Sequence, residues 1–168
     1  TWSHPDLEYL YTRDINKQFD RTQDAVNDVL GREYPMRYFR PPFGSPWYKN
    51  TRSAKAARRR ICRAIDARGG LLCMWQVHSN DSHPGVTEAS IYKSMRMKFE
   101  RNKAGVMVFH DSRKKTARNL PDYLKFIRES GLDFTSVDEL VMAKYGCDVA
   151  EVAALPNALR AERLTSLR

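Results

Sequence analysis

Two short apolar runs do most to limit the fold: Leu71-Leu72-Cys73-Met74-Trp75-Gln76-Val77 and Val106-Met107-Val108-Phe109. Both read as buried strands, because they are continuous, short and rich in strand-forming side chains. Around them lie segments whose apolar residues recur at helical spacing. Strand and helix signals that alternate in this way predict an α/β fold built on a mainly parallel sheet.

The helical segments can be placed by their stripes. Residues 12–30 carry Ile15, Phe19, Val26, Val29 and Leu30 on one face, and Gly31 stops the run. Residues 52–68 form a basic amphipathic helix, with Ala57, Ile61, Ala64 and Ile65 inward and Lys55, Arg58, Arg59, Arg60 and Arg63 outward, ended by Gly69-Gly70. Residues 87–102 place Ile91, Met95 and Phe99 on one stripe behind a Thr87 cap. Residues 120–130 predict a further helix, with Pro121 in the first turn, where a proline costs least. Short strands are expected at 36–39, entering the Pro41-Pro42-Phe43-Gly44 turn, and at 134–137. Beyond Tyr145, the residues Val149, Val152, Ala153, Leu155, Leu159 and Leu164 suggest one or two more helices, interrupted at Pro156. The expected organisation is one domain over 1–145 and a helical extension over 146–168.

The chain of 168 residues is long enough to bury a sizeable core. No apolar run approaches the roughly 18 residues that a membrane-spanning helix needs. The formal charge of +9 admits an anionic partner. The basic cluster on 52–68 nevertheless lacks the interleaved aromatics of a base-stacking surface, so no nucleic acid is expected as a partner. Cys62, Cys73 and Cys147 form no C-x-x-C pair and cannot all be bridged internally.

Polar residues with chemistry cluster just after the expected strands. Arg40 follows 36–39, His78 and Asp81 follow 71–77, and His110 follows 106–109. In barrels of alternating strands and helices, the carboxyl ends of the strands form the reactive rim. Four segments in order also carry a family pattern. Thr1-Trp2-Ser3-His4 reads as the tail of an H-T-x-x-H element, in which histidines one helical turn apart grip a divalent ion. Phe39-Arg40-Pro41-Pro42-Phe43-Gly44 matches R-x-P-Y/F-G, and Trp75-Gln76-Val77-His78-Ser79-Asn80-Asp81-Ser82 is an altered W-x-V-D-x-x-D-W. Val106-Met107-Val108-Phe109-His110-Asp111 ends a strand in L-x-H-D fashion, and residues 131–140 look like a closing strand and helix. Together these resemble the NodB-homology polysaccharide deacetylases, which are metal-dependent carbohydrate esterases.

The resemblance implies a distorted (β/α) barrel whose first strands are missing from this chain. It also implies a hydrolase that removes acetyl groups from N-acetylated sugars of chitin, peptidoglycan or a related glycan. His110 matches the general acid, Asp81 the carboxylate that holds and tunes it, and Arg40 the arginine that pairs with the catalytic aspartate. Phe43, Gly44, Trp47 and Val108 fall on the substrate side. His4 matches one ligand of a divalent metal, zinc first. The base and one metal ligand belong to a T-F-D-D-G element expected upstream of Thr1, and the other ligand is the first histidine of H-T-x-x-H, expected just before Thr1; no Asp-Asp pair occurs in the sequence. An N-terminal segment of the same protein is therefore expected as a partner, and residues 1–168 alone are expected to be inactive. Secreted, periplasmic or cell-envelope placement is what the family implies.

His78 stands where the family has Asp, and Ser82 where it has a groove-lining Trp. Trp75 is expected in the core, which leaves Trp47 as the nearer aromatic substitute. These departures keep open a catalytically inactive carbohydrate- or wall-binding relative. A basic nucleic-acid-binding protein is the third reading.

Overall fold

The computed structural model describes residues 1–101 and 105–155. The chain divides into two compact units, residues 1–73 together with the segment from Ser136 onward, and Met74–Thr135.

In the first unit, helix α1 spans Thr12–Leu30 and ends where Gly31 adopts the left-handed conformation at φ 62°, its N–H returning to the carbonyls of Asn27 and Asp28. Strand β1 (Tyr38–Phe39) pairs in parallel with β2 (Leu71–Leu72), Tyr38 opposite Leu71 and Phe39 opposite Leu72. Helix α2 (Arg52–Asp66) connects them, and its N-cap Thr51 accepts from the Ala54 N–H at 3.1 Å. Leu7, Ile15, Phe19, Phe39, Ile61, Ala64 and Ile65 form the core of this layer. Gly70 is required there, since a Cβ would lie 2.4 Å from the Phe39 ring.

The face expected on α1 is only half used. Ile15 and Phe19 are buried, but Val29 is 86% exposed and Leu30 is exposed too. The second half of the helix is tied down by amides instead. Gln23 donates to the Tyr34 carbonyl at 2.7 Å and accepts from the Met36 N–H at 2.9 Å, and Asn27 accepts from the Tyr34 N–H at 2.9 Å. The basic cluster of α2 is partly structural as well: Arg58 donates to the Lys49 carbonyl at 3.1 Å, and Arg60 to the Glu8 carbonyl at 3.0 Å.

The strand expected at 134–137 is absent. Ser136 is the N-cap of helix α5 (Val137–Tyr145), in a reciprocal capping box with Glu139, so Val137 opens a helix. Helix α6 (Val149–Ala154) follows, capped in the same manner by Asp148 and Glu151. Val141, Val149 and Val152 pack with Tyr38, Leu71, Val137 and Tyr145, so the described part of the expected extension lines the β1–β2 layer. Leu159, Leu164 and Pro156 lie outside the described residues. Cys62, Cys73 and Cys147 are each half-buried.

In the second unit, β3 (Val77–His78) pairs in parallel with β4 (Met107–Val108), Val77 opposite Met107 and His78 opposite Val108. The single strand expected over 71–77 is thus two, β2 pairing with β1 and β3 with β4. Helix α3 (Glu88–Phe99) starts from a Thr87–Ser90 capping box. Its stripe of Ile91 and Met95 packs on Tyr123 and Ile127 of helix α4 (Lys114–Glu129). Helix α4 begins a turn and a half before the expected residue 120, which places Pro121 inside it. The cost is one intrahelical hydrogen bond; the gain is that a single turn, closed by the Arg113 N–H donating to the His110 carbonyl at 3.1 Å, leads from His110 into the helix. Phe109 stacks on Tyr123, their ring centroids 5.5 Å apart.

Candidate active site

The second unit brings His110 and Asp81 together from the ends of β3 and β4. Alternation along a strand sends successive side chains to opposite faces. Val77 and Ser79 are accordingly buried and His78 is exposed. Asn80 then takes a left-handed φ of 61°, a conformation asparagine tolerates well. Its amide donates to Ser94 Oγ at 2.8 Å, and the turn drives Asp81 back inward, where it is 3% exposed.

Both oxygens of Asp81 are occupied. Oδ1 meets His110 Nδ1 at 2.7 Å and the Ser79 hydroxyl at 2.8 Å. Oδ2 accepts from the His110 backbone N–H at 2.7 Å and from the Thr116 hydroxyl at 2.8 Å. Ser79 Oγ also lies 2.7 Å from the Val108 carbonyl, so its one hydrogen is shared between the two acceptors. Burial alone would push the Asp81 carboxyl up. The hydrogen bonds from the His110 side chain and backbone, Ser79 and Thr116 outweigh it and hold the carboxyl below its ordinary value. An ionised carboxylate at Nδ1 fixes that nitrogen as the N–H, which leaves Nε2 as the ring nitrogen open to proton exchange. The His110 side chain is one-third exposed, so it is accessible for that exchange.

Three sequence expectations meet a different environment here. Trp75 is not a core residue. It is half-buried, and its indole N–H is directed at the His78 ring nitrogens, 2.7 and 2.9 Å away. Burial, then the charges of Lys98 and His110, lower the His78 pKa, so its neutral form is favoured. The Val108 side chain is buried in β4. Ser82 contributes its carbonyl to Arg113 at 3.0 Å.

The first unit places the remaining predicted residues. His4 is exposed, and its φ of 55° takes it out of the helical turn expected from H-T-x-x-H. The physical reason is Pro5, which disfavours the helical region for the residue before it. The His4 imidazole meets the Phe43 ring edge-on at 5.0 Å. Arg40 is exposed at the end of β1, close enough for its charge to oppose the upward push that burial exerts on the Cys73 and Tyr48 pKa values. Phe43 and Gly44 follow at φ 58° and 65° in a 3-10 turn over Pro42–Gly44. Pro41, Pro42, Gly44, Ser45 and Pro46 are buried while Phe43 is 61% exposed, so the loop presents one ring outward. Trp47 is packed against the Leu7–Ile15–Phe19 core. Beneath the loop, the buried Glu8 carboxylate pairs with Lys49 at 2.6 Å, a hydrogen bond that pushes the lysine up to about 12.

Sequence reasoning misses Ser79, Thr116 and the strain at Phe43. Period-two alternation from Val77 is enough to find Ser79; Thr116 is a contact across 35 residues that no local pattern marks. Among the described residues, no group of three or more His, Cys, Asp or Glu side chains could hold a metal ion. His4 is a single donor where such sites need three or four, so the residues present do not by themselves fit the metal that the family resemblance implies.

The backbone aligns with a family 4 carbohydrate esterase from Streptomyces lividans, solved in complex with acetate, at a TM-score of 0.61 over 80% of this chain and 62% of that one. At 20% identity this shows the fold, an α/β barrel of the carbohydrate esterase type. A family model described as polysaccharide deacetylase matches residues 1–61. Peptidoglycan-N-acetylglucosamine deacetylase PgdA of Listeria monocytogenes is 25% identical over 143 residues, 83% of this chain and 26% of the relative. An uncharacterised 30.6 kDa protein of Geobacillus stearothermophilus is 24% identical over 144 residues, 86% of this chain and 50% of its own length. The chain is thus similar to polysaccharide deacetylases over residues 1–61 and to a carbohydrate esterase in its backbone fold. It spans about a quarter to a half of the length of these curated relatives.

Proposed function

We propose that the protein carrying this chain hydrolyses the acetamido group of N-acetylated sugars in a polysaccharide, and that residues 74–135 supply its acid. The single observation that carries this reading is the His110–Asp81 pair, closed at 2.7 Å through Nδ1 with the carboxylate fully hydrogen-bonded. Deacetylation breaks an amide C–N bond, adds water to the carbonyl carbon and leaves acetate and an amine. The amine is a poor leaving group until it gains a proton. His110 Nε2 gives that proton, and the buried Asp81 carboxylate stabilises the imidazolium before transfer. Peptidoglycan is the substrate class named for PgdA, and chitin-like oligomers present the same acetamido group.

The reading requires parts that the described residues do not contain. A divalent metal, zinc first, would take His4 as one ligand, with the others and the base drawn from a further segment of the same protein. Arg40 would hold the carboxylate of that base, since a guanidinium nearby keeps a carboxylate ionised. Phe43 and Gly44 would border the substrate. On this reading, residues 1–168 alone release no acetate.

The alternative, a carbohydrate- or wall-binding relative without activity, draws on His78 and Ser82. Acetate release from N-acetylated chitin oligomers and from peptidoglycan by the full-length protein separates the two. Release supports the enzyme; glycan retention with no acetate at any metal loading supports the binding module. DNA binding gains little from the basic helix, because Arg58 and Arg60 are engaged with backbone carbonyls.

A further inference from the structure

We infer that Thr116, with Ser79 beside it, is a positioning residue for the acid step: its hydroxyl fixes the plane of the Asp81 carboxylate that orients His110. The inference rests on the deacetylase reading above for its kinetic consequence, though its geometry does not.

Thr116 lies in the first turn of α4 and is 3% exposed. A threonine in a helix ordinarily returns its hydroxyl to a carbonyl of the preceding turn. This one reaches across instead to Asp81 Oδ2 at 2.8 Å, where the His110 backbone N–H already donates at 2.7 Å. On the other oxygen, Ser79 and the imidazole share Oδ1. Remove the Thr116 hydroxyl and Oδ2 is held by the backbone N–H alone, so the carboxylate can turn about its Cβ–Cγ bond. The imidazole turns with it, and Nε2 loses its aim. Misplacement on this scale degrades proton transfer without changing what binds.

The other titratable groups at this corner act at one remove. His78 on β3 feels His110, and Lys98 on α3 acts on His78. Tyr123 on α4 feels Asp81, Glu88 and Asp122. Thr116 and Ser79 are neutral donors, so changing them alters no charge.

The test compares Thr116→Val, which keeps shape and burial but loses the hydroxyl, with Thr116→Ser, which keeps the hydroxyl, in the full-length protein acting on chitin oligomers. Thr116→Val should lower kcat about tenfold or more, the scale of one hydrogen bond to a charged group, with KM little changed. The acid limb of its kcat profile should move to higher pH, because a donor that holds the Asp81 carboxyl down has gone. Thr116→Ser should recover most of both effects. An unmoved kcat and acid limb in Thr116→Val, or equal damage in both variants, overturns the inference and makes Thr116 a packing residue. If the parent protein releases no acetate, it is the deacetylase reading that fails. The positioning role is then decided by the 13C titration of the Asp81 carboxyl, which Thr116→Val must shift upward and a packing role would leave in place.

Discussion

Asp81 and His4 sit at opposite extremes of preparation. In residues 74–135 the Asp81 carboxylate is buried, and each oxygen has its donors before any substrate arrives. In residues 1–73 His4 and Phe43 stand exposed at positive φ, edge to face, on segments secured from beneath by Leu7, the buried prolines and the Glu8–Lys49 pair. On the deacetylase reading, the difference follows from what each side would have to do. An acid works only in the correct tautomer and direction, which a buried and saturated carboxylate can enforce. A metal donor or a substrate-facing ring must stay accessible, so the fold there makes the support rigid and leaves the tips open. The acid side is complete within its unit. The His4 side, on the deacetylase reading, is completed from elsewhere.

The largest expected effect lies on the completed side. On the deacetylase reading, His110→Ala in the full-length protein should lower kcat by about 10² to 10⁴, the usual worth of a positioned proton donor, with metal content by elemental analysis the same as in the parent. Asp81→Asn should remove part of the same rate. The double variant should be little worse than His110→Ala, since the two act as one unit. Loss of metal from His110→Ala would erase the contrast, because His110 would then belong with His4 as a ligand.

The same pair should make stability depend on pH. The folded Asp81 carboxyl lies below its ordinary value of 3.8, so its contribution is fully present above that value and is lost as pH falls through the lower, folded one. Urea unfolding should therefore find Asp81→Asn on the order of 2 kcal/mol less stable than the parent near neutrality. The gap should narrow as pH falls below about 4. A gap that persists at the acid end would mean that the pair is held by packing rather than by charge.

Much of this contrast is legible in the amino-acid order alone. The bounds of α1 follow from its stripe and Gly31, and His110 and Asp81 emerge from strand ends as their places in the sequence predict. The departures have identifiable reasons. The apolar run over 71–77 conceals a change of partner, from β1 to β4, which only tertiary pairing decides. At 134–137 strand-forming side chains compete with the Ser136–Glu139 capping box, and the local capping signal wins. Val29 and Leu30 fit a helical stripe but meet no core, because Gln23 and Asn27 satisfy the adjoining backbone instead. Thr116 carries no local signal at all, since its role depends on where α4 begins.

The smallest expected effect tests the open side. A phenylalanine at φ 58° is held away from its preferred backbone, at a typical cost of about 1–3 kcal/mol. Its ring is 61% exposed, so little burial is lost when it goes. Asparagine adopts that backbone far more readily. Phe43→Asn should therefore leave the thermal midpoint unchanged or raise it slightly, whereas truncating a core phenylalanine such as Phe19 to alanine costs about 3–5 kcal/mol. If the ring faces substrate, the same variant should raise KM for chitin oligomers while the acid limb of the kcat profile stays where Asp81 sets it. A drop of several degrees in the midpoint would show that Phe43 is structural, and the contrast between a sealed acid pair and an exposed, strained rim would fail at its rim.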